Sequence, residues 1–147
     1  MTEASNPSAK WDAQLRKGTL ELAILAAVAG EEKYGLAILN YLHGFETMVI
    51  SEGTLYPLLD RLKREGVLNA KWHQEGEVRP RKYYSLTENG LERLHILRAR
   101  WKRSVVDMES LLADSAIGEG NGADNVTETG KRKPEKLGYL QTQKQLQ

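Results

Sequence analysis

Leu55, Leu58, Leu59 and Leu62 recur at the three- and four-residue spacing of one helix face, and the same stretch contains Pro57. Deep in a helix a proline removes a hydrogen bond and clashes with the preceding turn, so this helix has to begin close upstream of it. Thr54 is one candidate N-cap, which makes Pro57 the third helical residue; Ser51, capping a looser start, is the other. Gly66, just past Glu65, suits the left-handed residue that closes a helix. The spacing therefore predicts a short rod with leucines on its buried side and Thr54, Tyr56, Pro57, Arg61 and Arg64 facing outward. Downstream, Val67–Trp72 and Lys82–Leu86 partly alternate and are rich in aromatic and aliphatic residues, so they read as two strands. The link between them, His73–Arg81, is polar and holds Gly76 and Pro80, which suits a flexible hairpin loop.

A helix followed closely by a basic hairpin is the arrangement of a winged helix. The expected fold is mainly α with a small β-hairpin: a winged helix-turn-helix plus a long C-terminal dimerisation helix. Trp11, Leu15, Leu22, Leu25, Ala26 and Ala29 recur at helical spacing and predict a first helix from about Trp11 to Ala29, stopped by Gly30. Tyr34–Leu42 reads as a second helix with Ile38, Leu39 and Leu42 on one side, ended by Gly44. Thr87 is placed to cap a last helix running from about Glu88 to Leu112. Along it Leu91, Leu94, Arg98, Trp101, Val105, Met108 and Leu112 step alternately by three and four, a coiled-coil-like seam. A single terminal helix on a small domain has little else to cover such a seam, so a homodimer is expected. The expected divisions are a disordered tail over 1–10, a winged-helix domain over 11–87, the dimerisation helix over 88–113 and a disordered, Gly-rich and polar tail over 114–147.

Charge distribution says more than the formal net charge of +1. Residues 61–103 hold twelve Lys and Arg against five acids, whereas residues 1–60 hold four bases and eight acids. The positive charge is concentrated in the helix end, hairpin and last helix, which gives a local field for a polyanion without a basic whole. Binding duplex DNA calls for a rigid helix slim enough for the major groove, with cations and hydroxyls to hold phosphates and fix register. Ser51, Thr54, Tyr56, Arg61 and Arg64 on the helix, with Arg79, Arg81 and Lys82 on the hairpin, supply those groups. The plainer alternative is a solvated basic surface on a small α+β domain; the rival function is a winged-helix interaction module that binds protein rather than nucleic acid.

Other classes of function find little support. The chain has no cysteine, so disulfides and thiolate zinc sites are excluded. His43, His73 and His95 show no metal-ligand spacing, and no metal or cofactor is expected. No Ser-His-Asp arrangement, Gly-rich phosphate loop or paired-carboxylate motif stands out, so the chain is not expected to be an enzyme. The N-terminus lacks the apolar stretch of a signal peptide, and Leu20–Ala29 is well short of the roughly 20 residues that span a bilayer. A cytoplasmic protein without membrane contact is the expectation.

The run Arg16-Lys17-Gly18-Thr19-Leu20-Glu21-Leu22, the pair Tyr34-Gly35, the block Ser51–Leu62, and Arg79-Pro80-Arg81-Lys82-Tyr83-Tyr84 followed by Leu86-Thr87-Glu88-Asn89-Gly90 resemble the PadR family of bacterial transcriptional regulators. The resemblance covers about residues 11–112 in order. It implies a winged helix-turn-helix, a C-terminal dimerisation helix and, usually, repression of a nearby operon; the single C-terminal helix is similar to the short subfamily. It implies a recognition helix over Ser51–Glu65 with Ser51, Thr54 and Tyr56 near DNA, phosphate contacts from Lys17 and Tyr34, and a wing over Gly76–Lys82; the two-fold symmetry of a dimer then predicts a pseudo-palindromic operator. Glu75 and Glu77 place acid at the wing tip, against close approach to phosphate there. By the same resemblance, some members of the family hold flat aromatic or cationic ligands between tryptophans where first and last helices of two subunits meet. Trp11 and Trp101 are the matching candidates, with Arg98 as a partner for an acidic ligand. The plainer reading of the tryptophans is packing in the dimer interface, and of Arg98 a register-setting or snorkelling residue.

Overall fold

The structure is a computed structural model and describes residues 6–115. The elements are helix α1 (Pro7–Ala29), strand β1 (Lys33–Tyr34), helix α2 (Gly35–Leu42), a 3₁₀ turn (Glu46–Met48), helix α3 (Glu52–Arg64), strands β2 (Leu68–His73) and β3 (Arg81–Leu86), and helix α4 (Glu88–Asp114). By contacts between residues the chain divides into two units, 1–108 and 109–147; of the second, residues 109–115 are described, almost all in the end of α4. The tail expected over 114–147, including Lys131-Arg132-Lys133, lies outside the described residues from position 116 onward.

Helix α1 starts four residues before the expected Trp11. The Asn6 side chain accepts a hydrogen bond from the Ser8 N–H at 3.0 Å, and Pro7 occupies the first helical position, where its missing N–H costs nothing. Residues 7–10, expected as tail, are therefore helical. Helix α2 begins at Gly35 rather than Tyr34, because Tyr34 is extended and belongs to β1. This two-residue strand has no sequence signature of its own. It joins the hairpin to give an antiparallel three-stranded sheet in the order β1-β3-β2.

Ser51, not Thr54, caps α3: its hydroxyl accepts from the Thr54 N–H at 3.2 Å. Pro57 consequently lies in the second turn and leaves the Gly53 carbonyl without its helical donor. Gly53 is exposed, so water can serve that carbonyl instead. The other end is closed as the sequence suggests. Gly66 has φ +75°, with Val67 N–H bonded to the Leu62 carbonyl at 3.0 Å and Gly66 N–H to that of Lys63 at 3.0 Å. This paired pattern ends a helix and turns the chain sharply into β2.

The core gathers Leu20, Ile24, Leu25 and Val28 of α1, Ile38, Leu39 and Leu42 of α2, Leu55, Leu59 and Leu62 of α3, and Val67, Leu68 and Tyr84 of the hairpin. Leu94 and Leu97 of α4 also pack against it, which corrects the placement of Leu94 on an uncovered seam. Leu91, Trp101, Val105, Met108 and Leu112 stay exposed within the chain.

The start of α4 is tied to the α3–β2 corner. Thr87 Oγ1 donates to the Gly66 carbonyl at 2.6 Å, and the Gly90 N–H donates to Thr87 Oγ1 at 2.9 Å. Gly90 is buried, and a Cβ there would run into the Val67 carbonyl. Gly90→Ala is therefore expected to destabilise the domain by about 1–3 kcal/mol, as overpacking against backbone does. Urea denaturation followed by circular dichroism checks it; an unchanged midpoint would mean that α4 docks more loosely than described.

Candidate nucleic-acid interface

Complete burial of Leu55, Leu59 and Leu62 turns the opposite side of α3 to solvent. Ser51 and Thr54 stand exposed at its N-terminus, where free N–H groups and the helix dipole favour anions. Their hydroxyl oxygens are 3.2 Å apart and share a hydrogen bond, and the Ser51 hydroxyl also accepts the cap bond from the Thr54 N–H, so both hydroxyls are engaged with one another on an exposed surface. Tyr56 is half exposed. Its ring lies so close over the start of α2 that a Cβ on Gly35 would sit 2.5 Å from Tyr56 Cε1. Tyr56 is thus braced by α2, with its hydroxyl end against Gly35 and the remainder of the residue partly open to solvent.

Strand register divides the hairpin into two faces. On the face that continues the core, Leu68 opposes Leu86, Ala70 opposes Tyr84 and Trp72 opposes Lys82. On the other face Lys71 opposes Tyr83 and His73 opposes Arg81, and β1 adds Tyr34 opposite Tyr83. Here aromatic rings and cations interlock. Tyr34 and Tyr83 meet edge to face at 5.5 Å, the His73 ring packs on Tyr83 at 5.0 Å, and the Arg81 guanidinium sits 4.4 Å above the Tyr34 ring. His73 also faces Glu32 at 3.5 Å. Both sequence candidates Tyr34 and Arg81 are therefore brought together and held in place. Arg64, Arg79 and Lys17 are exposed.

Arg61 departs from expectation. Its guanidinium bonds both Glu65 carboxylate oxygens, at 3.1 and 3.2 Å, and reaches Glu21 of α1 at 3.4 Å. Arg93 of α4 contacts the same two acids, Glu65 at 3.1 Å and Glu21 at 3.4 Å. Arg61 is thus paired in a four-residue bracket joining α1, α3 and α4. The hydrogen bond from Arg93, with the charges of Arg61 and Arg93, holds the Glu65 carboxyl below its ordinary value of 4.5. An (i, i+4) spacing of Arg61 and Glu65 is visible in the sequence; the long-range partners Glu21 and Arg93 are not.

A cavity of about 410 Å³ lies beside α1, lined by Leu15, Leu22, Ala23, Ala26, Met48 and Trp101, with Asp12 and Arg16 also on its wall. Arg16 donates to the Thr47 carbonyl at 2.9 Å, tying α1 to the 3₁₀ turn at this edge. Trp101 is the one tryptophan in the lining; Trp11 and Arg98 are exposed and not part of it. Among the described residues no three His, Asp or Glu gather as a metal site, and no helix is long and apolar enough to cross a membrane.

Three helices with a small sheet whose hairpin flanks an outward-facing helix define a winged-helix protein. A sequence model of the transcriptional regulator PadR-like family matches residues 24–96. Among solved structures, a PadR-like transcriptional regulator from Bacillus cereus is 32% identical, with TM-score 0.64, and the match covers 69% of this chain and 99% of that one. A PadR family transcriptional regulator from Eggerthella lenta is 33% identical, with TM-score 0.66 and coverage of 74% and 94%. A PadR-like transcription factor from Bacteroides fragilis is 36% identical, with TM-score 0.58 and coverage of 69% and 98%. No curated protein matches. The chain belongs to the PadR-like family of transcriptional regulators.

The bracket carries a pH dependence. A carboxyl whose value is depressed on folding contributes stability above its unfolded value and loses it as pH falls through the lower folded one. Thermal unfolding of the wild type should therefore show an acid-side loss, starting near pH 4.5, that Glu65→Gln makes shallower. Identical pH profiles for the two proteins would remove Glu65 from this role.

Proposed function

We propose that this chain is a homodimeric DNA-binding regulator that represses transcription in the cytoplasm, with α3 in the major groove of each operator half-site. The observation that carries the reading is the outward side of α3, with Thr54 and Tyr56 exposed on a rod whose other side is fully buried, flanked by a cationic hairpin. Thr54 and Tyr56 serve as base-edge or backbone contacts. Lys17, Tyr34, Arg64, Arg79, Arg81 and Lys82 serve as phosphate contacts, with Ser51 presenting the helix N-terminus. Arg61 is left out because Glu21 and Glu65 occupy it.

Exposed Leu91, Trp101, Val105, Met108 and Leu112 on α4 support pairing with a second copy through this helix. Two-fold symmetry then calls for a pseudo-palindromic operator with half-sites about 10–10.5 base pairs apart, or a multiple of that. The apolar cavity bounded by Trp101 suits a flat aromatic effector, whose binding would alter the setting of α4 against α1 and release DNA. Trp11 and Arg98 join that site only if the second copy brings them to it.

Footprinting on DNA flanking the gene should reveal a protected palindrome. Arg79→Ala and Arg81→Ala should each weaken operator binding and lower the dependence of log K on log salt by about 0.9 for each phosphate no longer neutralised. Arg61→Ala should leave that slope unchanged. A protein that stays monomeric and binds no duplex at low ionic strength would end this reading. Aromatic ligands that neither quench Trp101 nor change operator affinity would remove the effector alone.

A further inference from the structure

The core-facing side of the hairpin does not end where the core ends. Leu68 is 2% exposed and Tyr84, opposite Ala70, is 3% exposed, yet Trp72, next on the same face, is 67% exposed. An indole left this open on a face that otherwise packs inward is a large apolar surface with an unused N–H donor. Its cross-strand neighbour is Lys82, half-buried, with its ammonium 5.8 Å from the Tyr84 ring. Strand β2 packs against α3, and α3 brings Lys63 to the Lys82 side chain. Burial, then the nearby charge of Lys63, pushes the Lys82 ammonium below its ordinary range, while Asp60 offsets part of this. The two ammonium groups repel one another at close quarters, and a bound anion would relieve that repulsion.

We propose that Trp72, Lys63 and Lys82 form a phosphodiester-binding cleft between α3 and the wing, occupied by the DNA strand that borders the groove holding α3. Lys63 and Lys82 supply charge to one phosphate or two adjacent ones. The indole packs on the neighbouring deoxyribose and offers its N–H to a phosphate oxygen. Neither Trp72 nor Lys63 is among the contacts that the sequence suggests, since a tryptophan at an inward-facing strand position reads as core. The cleft rests on the DNA-binding reading, but it makes a separate claim about where the strand lies.

The test uses the full chain and a mixed-sequence duplex of about 30 base pairs at low salt, where phosphate contacts dominate binding. With Trp11→Phe and Trp101→Phe in place, Trp72 alone should change its emission as duplex is added and recover when salt is raised. In the otherwise unaltered chain, Lys63→Ala with Lys82→Ala should lower the salt slope by about 1–2, with an unchanged circular dichroism spectrum. Should the double Phe variant fail to fold, fluorine NMR of the wild type labelled with 5-fluorotryptophan gives the same reading. The Trp72 resonance, assigned by its loss in Trp72→Phe, should shift with duplex. Wild-type binding with a silent Trp72 and an unaltered slope in the lysine variant overturns the cleft and leaves the DNA-binding reading standing. No salt-dependent binding by the wild type overturns both.

Discussion

Leu55, Leu59 and Leu62 have no exposed surface at all, and their burial sets the rotation of α3 about its own axis. Each buried leucine contributes roughly 1.5–3 kcal/mol from transfer out of water, so turning α3 to bury another side would forfeit several such contributions. Because helix rotation is fixed this way, the direction in which Thr54, Tyr56 and Arg64 project is fixed too. The ends are fixed by separate means: the Ser51 hydroxyl at the start, and the left-handed Gly66 with its two backbone bonds at the finish. A surface that has to match another molecule thus gains its precision from apolar packing beneath it rather than from the polar groups it displays.

The same corner carries a second constraint. Gly66 and Val67, which end α3, accept from the Thr87 hydroxyl that starts α4, and Gly90 lets the α4 backbone settle against Val67. Beside this joint the Glu21, Arg61, Glu65 and Arg93 side chains cross-link α1, α3 and α4. Exposed ion pairs contribute little stability singly, and it takes several charges in one network, as here, to hold neighbouring helices together measurably. That is useful in a molecule whose α4 is proposed to pair with a second copy, since the angle between α3 and α4 then determines the distance between two recognition helices. The Trp101 cavity lies where α1 borders the same α4 helix, so a ligand there would act on a helix already coupled to α3.

Charge is partitioned rather than abundant. With a formal net charge of only +1, the chain relies on placement. Arg61 and Arg93 are engaged internally, Arg81 is stacked on Tyr34, and Lys63 crowds Lys82. Cations used inside the fold and cations presented outward differ only in which carboxylates the fold brings beside them.

Local rules read from the chain hold up where the physics is local. Leucine spacing gave α3 and its buried side, Gly66 gave its end, Thr87 gave the start of α4, and alternation gave β2 and β3 within one residue. These features depend on backbone preferences and neighbours a turn or less away. A helix followed closely by a basic hairpin gave the winged-helix arrangement, which the family resemblance also implied and which the architecture and the matched relatives bear out. Folding alone decided the rest. The strand at Lys33–Tyr34 exists because β3 offers an edge to it, not because two residues favour extension. Leu94 turned inward because α4 docks on the core, whereas the seam pattern treats it like its exposed neighbours. Arg61 found Glu21 forty positions away, and Trp72 was left in water at a position whose pattern says core, because α3 and the other core helices cover that face only as far as Ala70 and Tyr84. A periodic pattern states which side of an element is apolar; what finally covers that side, or which distant charge meets it, is a property of packing between elements.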